Sequence, residues 1–151
     1  MTIRPPGNPV VEVRELEVPV YRGNHKVMCA LRWKRHADFC TFDIELDGPD
    51  EPVHRSGRDL FDALQQVRLE LERQGLVIAV QGARTDAYPT GMIRNMVAAS
   101  RVYIMEIGRD VERKHLVNTF AEAELHTIGT VEQQDAHYRE WLEHRNSAGQ
   151  A

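Results

Sequence analysis

A polar loop that follows an apolar run carries the side chains best suited to chemistry in this sequence. The run Leu76–Val80 is typical of a buried strand, and a loop that leaves such a strand is a favoured place for a binding site. Guanidinium groups bind carboxylates and phosphates, carboxylates bind basic groups, and a tyrosine adds an apolar ring with a polar end. The candidate ligand- or partner-binding residues are Arg84, Asp86, Tyr88, Arg94 and Asn95.

The same loop also has a structural interpretation. Arg84 and Asp86 can pair with each other or cap neighbouring backbone groups. Tyr88 and Pro89 can pack the turn that begins the next helix. The sequence alone leaves both interpretations open.

Charge is distributed unevenly along the first half of the chain. Residues 18–37 contain basic side chains and no acid, whereas residues 38–62 are predominantly acidic. If neighbouring strands pair, the acids of one can neutralise the bases of the other, which contributes only a few tenths of a kcal/mol per pair. Alternatively, the acids extend past the basic strand as a rim that attracts a basic protein. The rim residues are Asp47, Asp50, Glu51 and Asp59.

Length and composition favour one domain that does not bind nucleic acid directly. The chain has 151 residues, 42% of them hydrophobic, and a net charge of −4 at pH 7. A nucleic-acid binder normally carries a strongly basic face. We expect a single domain over residues 9–145, with flexible tails at 1–8 and 146–151. No apolar run is long enough for a membrane span and residues 1–9 lack a signal-peptide pattern, so we expect a cytoplasmic protein.

Histidines and cysteines predict neither a metal site nor a cofactor. The seven histidines lack the i, i+4 spacing and the Cys-x-x-Cys partner that zinc sites use. Cys29 and Cys40 occupy apolar positions of neighbouring predicted strands, where buried free thiols are common and a disulfide is the alternative. No nucleotide-binding loop or nucleophile elbow occurs. We therefore expect no catalytic residue, and a non-enzymatic role is favoured over an enzyme.

The apolar periodicity predicts an α+β domain. An antiparallel meander plus further strands would be covered by helices packed mainly on one sheet face. The expected elements are strands at 10–21, 25–33, 39–47, 76–80 and 102–107, and helices from Ser56 to Gly75, over 91–100 and from Thr130 onward with Gln133 in a capping box. Pro19 places the first strand at a sheet edge, and the strand at 76–80 is apolar on both faces, which favours a central position.

The segment Gly82–Met92 resembles one in a group of small, poorly characterised bacterial proteins. The shared pattern is Gly-Ala-Arg-x-Asp-x-Tyr-Pro-x-Gly-Met, and the similarity extends over the C-terminal part of the chain as far as Trp141. In those relatives a glycine-rich stretch follows the Gly-Met pair, whereas residues 97–100 here are Val-Ala-Ala-Ser. The resemblance therefore does not carry over a ligand pocket lined by backbone. Proteins of this size and composition are similar to the immunity proteins that bacteria pair with polymorphic toxins.

We therefore expect a bacterial interaction protein, of the immunity type, that covers a basic toxin domain with its acidic and loop residues. The alternative is a small-molecule or anion-binding protein, or an enzyme, whose site lies in the loop 82–95 and in which Arg84 or Arg94 holds an anionic group. A third possibility is an accessory subunit or homo-oligomer that docks through an unpaired edge strand near Pro19. The sequence favours no particular oligomeric state.

Overall fold

Two antiparallel sheets and three α-helices form an α+β fold, as the periodicity predicts. A computed structural model describes residues 7–148, with the side chains of 7–145; the ends of the predicted tails, 1–6 and 149–151, lie outside this range. The elements are β1 (Val10–Arg22), β2 (His25–His36), β3 (Phe42–Asp47), β4 (Pro52–Gly57), α1 (Leu60–Arg73), β5 (Val77–Ile78), β6 (Ala87–Tyr88), α2 (Gly91–Val97), β7 (Arg101–Ile104), β8 (Leu116–Asn118) and α3 (Val131–Ala148).

The larger sheet buries one face and leaves the other open. Its strand order is β4-β3-β2-β1-β5, and every pairing in it is antiparallel. Phe42, Ile44 and Leu46 alternate along β3 on the buried face, as predicted, and α1 covers that face. The residues between them point outward with charged neighbours from β1 and β2. The helix that packs on this sheet, α1, therefore covers one face of it.

The smaller sheet extends the core at the N-terminal end of α1. Its strand order is β6-β7-β8. Phe61 of α1 packs with Ala87, Ala99 and Val102 in a second buried cluster. Within residues 7–148, none of the helices has the length and apolar character needed to cross a membrane.

The first helix begins later than predicted, because Asp59 rather than Ser56 is its N-cap. The Asp59 carboxylate accepts a hydrogen bond from the Asp62 N–H at 2.8 Å. Ser56 lies in β4, a strand that the sequence pattern did not predict. Gly57 ends that strand so close to α1 that an added Cβ would overlap the Ala63 nitrogen. The tight turn from β4 into α1 therefore excludes Ser56 from the helix.

The C-terminal end of α1 and the start of α3 occur where predicted. Gly75, with φ of +72°, follows the end of α1, and Thr130 and Gln133 form the predicted capping box with bonds of 2.9 and 3.0 Å. α2 is shorter than the predicted 91–100 because Ala98 adopts a left-handed conformation at its C-cap. α3 continues through Ala148, so residues 146–148 of the predicted tail are helical.

Pro19 does not lie on an open edge. At this point β1 is flanked by β2 and β5, and the Pro19 carbonyl accepts a hydrogen bond from the Ala79 N–H at 2.9 Å. Ala79 needs no donor from the proline, because its own carbonyl accepts from the Ala123 N–H at 2.9 Å. β5 is the last strand of its sheet, not a central one, and residues 119–123 run alongside the segment that follows it, residues 79–82. The earlier part of β1, residues 10–17, pairs only with β2 and is an open edge.

The two cysteines have different environments. Cys29 is buried in β2, as predicted, whereas Cys40 is exposed in the turn before β3. That turn is held by Asp38, whose carboxylate accepts hydrogen bonds from the N–H groups of Cys40 and Thr41, each at 2.9 Å. Because β3 begins only at Phe42, Cys40 never reaches the buried face. Both thiols are free.

Candidate functional site

Arg84 and Asp86 form an ion pair with each other. The Nε and Nη2 atoms of Arg84 donate to the two Asp86 carboxylate oxygens at 2.8 and 2.9 Å. The Nη1 atom donates to the Gln81 side chain at 3.2 Å. Because this face of the guanidinium is occupied, an external anion would have to displace Asp86 to use it.

Tyr88 belongs to a group of packed aromatic rings. Its ring stacks on Tyr138 with 3.9 Å between centroids and meets Phe61 edge-on at 4.8 Å. Its hydroxyl donates to Asp135 at 3.1 Å. Burial, together with the negative charge of Asp135, raises the pKa of Tyr88 to about 12. Tyr88 is thus a neutral residue that attaches the loop to α3.

A buried arginine supports the loop from α1. Arg68 is 3% exposed, and it donates to the Gln134 side chain at 2.5 Å and to the Gly129 carbonyl at 2.9 Å. Burial lowers the pKa of Arg68 to about 10. The Gln134 amide donates in turn to the carbonyls of Gly82 and Arg84, each at 2.8 Å. The loop backbone is therefore fixed by both α1 and α3.

Arg94 and Asn95 lie on α2 and do not join Arg84 and Asp86. They line a separate cleft of about 360 Å³ between α2 and β2. Arg94 donates to Asp59 at 2.6 Å, and its guanidinium lies 5.7 Å from the centre of the Tyr88 ring. The five predicted loop residues therefore divide between a local ion pair, an aromatic packing group and a cleft.

The four predicted rim residues also separate. Asp50 pairs with the arginine that ends β1, and Glu51 accepts a hydrogen bond from Gln74 at 3.1 Å, so both hold the turn between β3 and β4. Asp59 is only 6% exposed, because it caps α1, and so it does not lie on an exposed rim. Asp47 alone of the four faces an open groove.

This groove has a volume of about 600 Å³ and crosses the open face of the larger sheet. We call it the acidic groove; its charged lining residues are Glu15, Glu17, Arg32, Glu45 and Asp47. Its floor includes the short side chain of Ala30 in β2. Glu17 lies directly opposite Ala30 on β1. The register of β3 places Asp47 on the other side of Ala30, so a carboxylate flanks this residue on each neighbouring strand.

Cations neutralise only one end of the acidic groove. Arg32 donates to Glu15 at 2.7 Å, and Lys34 donates to Glu45 at 3.0 Å and holds the pKa of Glu45 below its ordinary value. The predicted pairing of the acids of β3 with the bases of β2 is thereby confirmed. Among residues 7–145, no cationic side chain lies within 4.0 Å of the carboxylate of Glu17 or Asp47. The uncompensated charge therefore lies at the Ala30 end.

Sequence reasoning missed Glu15 and Glu17. The apolar residues Leu16 and Val18 do predict that the glutamates point to the opposite face. Their proximity to Asp47 depends on the register of three strands, which periodicity does not supply. Within the part of the chain whose side chains are described, no three His, Cys, Asp or Glu residues are grouped so as to hold a metal ion. No family model matches the sequence, and no curated protein matches it.

Proposed function

We propose that this protein is a non-enzymatic interaction protein that binds a basic segment of another protein in the acidic groove, as an immunity protein covers a basic toxin domain. The observation that supports the proposal is the placement of Glu17 and Asp47, without cationic partners in residues 7–145, on either side of Ala30. A lysine or arginine side chain over Ala30 would meet a carboxylate on each side.

The lining of the acidic groove suits a basic, extended segment. Its carboxylates outnumber its single arginine and leave a net charge of −3, which attracts a basic partner and accelerates encounter. Met28, which lies next to Ala30 on the open face, is 47% exposed and offers apolar surface to the methylene stem of a bound lysine or arginine. The absence of a covering helix leaves the groove accessible from above in the described chain.

The test is direct binding to the product of the adjacent gene in the host genome, measured by isothermal titration calorimetry. We expect a stoichiometric complex whose affinity falls as salt rises. Glu17→Lys and Asp47→Lys should each lower the affinity about tenfold or more, because each places a cation against the basic partner. Ala30→Arg should have the same effect, because it fills the groove with an internal guanidinium.

Glu143→Lys is the matched control. It makes the same charge change at an exposed position of α3, which packs on α1 and β6 and not on the open sheet face. This variant should keep the wild-type affinity. A complex that tolerates Asp47→Lys and Ala30→Arg does not use the acidic groove. If the wild-type protein forms no complex with the adjacent gene product, the immunity-type role is refuted.

A further inference from the structure

A second cleft lies on the opposite face of the same strands. It has a volume of about 360 Å³ and opens between β2, α2 and the segment that joins β4 to α1. Trp33 and Arg35 line it from β2, and they pair across the sheet with the buried residues Ile44 and Phe42. The charged lining of the acidic groove comes from the opposite face, where Arg32 lies between Leu31 and Trp33 in sequence. The two concave surfaces are therefore separated by the thickness of the sheet.

The lining of this cleft is basic. Arg35, Arg58 and Arg94 face a single acid, Glu12. Arg94 is partly neutralised by Asp59, and the Nη2 atom of Arg35 lies 3.2 Å from Glu12. For Arg58, no carboxylate of residues 7–145 lies within 4.0 Å of the guanidinium. The cleft therefore retains positive charge that no residue of the described chain neutralises.

Arg35 has one buried donor that no described residue satisfies. Its Nε atom is buried and has no hydrogen-bond partner, and no other buried side-chain nitrogen or oxygen in residues 7–145 lacks one. Buried donors in folded proteins almost always have an acceptor, since an unpaired donor is costly. Because the Nε atom is closed to solvent, an oxyanion in the cleft would contact the Arg35 guanidinium at its partly exposed end.

Apolar side chains surround the basic residues. Phe39 and Met96 flank the cleft and are 62% and 74% exposed, and Phe42 contributes to its lining. Phe39 and Ala98, which both line the cleft, have φ values of +59° and +54°, a conformation that residues other than glycine adopt at a cost. The ring of Phe39 also lies 4.7 Å from the Arg35 guanidinium carbon. An apolar group in the cleft would cover part of this exposed surface.

We infer that this cleft binds a small amphipathic anion, a molecule with one carboxylate or phosphate group on an apolar body. The oxyanion lies between Arg58 and Arg35, and Asn95 offers an amide at the rim. The apolar body contacts Phe39 and Met96. Binding here does not depend on the acidic groove, because the two surfaces share no side chain.

Calorimetric titration with phenyl phosphate and with octanoate tests this inference, and inorganic phosphate serves as the comparison. We expect saturable, salt-sensitive binding of at least one of the two amphipathic anions, tighter than that of inorganic phosphate. Preference for phenyl phosphate would identify a phosphate site, and preference for octanoate a carboxylate site. If neither binds, or if inorganic phosphate binds as tightly as both, the inference is overturned.

Three variants assign the binding to this cleft. Arg58→Gln should weaken binding about tenfold or more, because it removes a charged hydrogen-bond donor. Glu12→Gln should instead tighten binding, because it removes the one acid of the lining; a merely structural role of Glu12 would not produce this gain. Arg139→Gln, the same change at an exposed position of α3, should leave binding unchanged. Equal affinities of wild type, Arg58→Gln and Glu12→Gln would refute the site.

Discussion

Replacement of Gln134 by alanine should destabilise the fold more than most single substitutions. The side chain is fully buried and takes part in four hydrogen bonds. It accepts from Arg68 and Gln65 and donates to the carbonyls of Gly82 and Arg84. Gln134→Ala would leave a buried guanidinium N–H and the buried Gly82 carbonyl without these partners, and the part-buried Arg84 carbonyl would keep only its bond from the Ala87 N–H.

The expected loss follows from the kinds of bond involved. A hydrogen bond to a charged group contributes about 1.5–3 kcal/mol, and each neutral bond contributes about 1 kcal/mol. Allowing for partial relaxation around the cavity, we expect the free energy of unfolding to fall by roughly 3–5 kcal/mol. For a domain of this length the melting temperature should fall by about 10 °C.

Urea denaturation of the wild type and the Gln134→Ala variant measures this loss. Gln66→Ala on α1 is the control, because it makes the same chemical change at an exposed position and should stay within about 0.5 kcal/mol of wild type. A loss below about 1 kcal/mol for Gln134→Ala would mean that water satisfies Arg68 and the loop carbonyls equally well. The Gln134 amide would then not be what holds the loop.

Two further predictions concern protonation and thiol reactivity. The Nδ1 atom of His36 lies 2.7 Å from the Asn8 carbonyl, and its Nε2 atom faces the Asp43 carboxylate. Only the protonated imidazolium can donate to both acceptors, so the pKa of His36 is raised above 6.5. The stability that these bonds contribute is full below pH 6.5 and is lost as pH rises through the raised pKa. The melting temperature of the wild type should therefore fall across that range more than the melting temperature of His36→Gln. Parallel curves of melting temperature against pH for the two proteins would contradict this. Cys40 is exposed, whereas burial, and to a smaller extent the charge of Asp47, raises the pKa of the Cys29 thiol. A thiol reagent should therefore label Cys40 in the native chain and Cys29 only on unfolding. Rapid labelling that persists in Cys40→Ser would disprove this assignment.

The sequence correctly predicts those elements that depend on residues close together in the chain. The alternation of β3 and the capping box of Thr130 and Gln133 depend on residues a few positions apart, and both occur as predicted. Ser56 and Asp59 are both capable N-caps, and a contact between Gly57 and the backbone of α1 decides between them. That contact is tertiary, so no local pattern reveals it.

The candidate sites were less predictable because they combine distant segments. Arg84 and Asp86 were correctly recognised as a possible local pair, and the structure shows that pair. The cleft residues Arg35, Arg58 and Arg94 come from β2, the segment between β4 and α1, and α2, so their convergence depends on how α1 and α2 pack against the sheet. Likewise, the position of Glu17 relative to Asp47 follows from strand register. Side-chain type identifies such residues as candidates, but their proximity in space depends on the fold.

The open edge of β1 exposes the chain to self-association through its backbone. Val10, Val11 and Val13 are exposed there, and an unpaired apolar edge can template further strands. Two features oppose this: a bulge between Val10 and Glu12 interrupts the regular pairing, and charged residues separate Val13 from its apolar neighbours. The acids and the arginine of this segment thus act as gatekeepers against fibrillar stacking. The bulge and these charges therefore disfavour an ordered, amyloid-like assembly, even though the edge is uncovered.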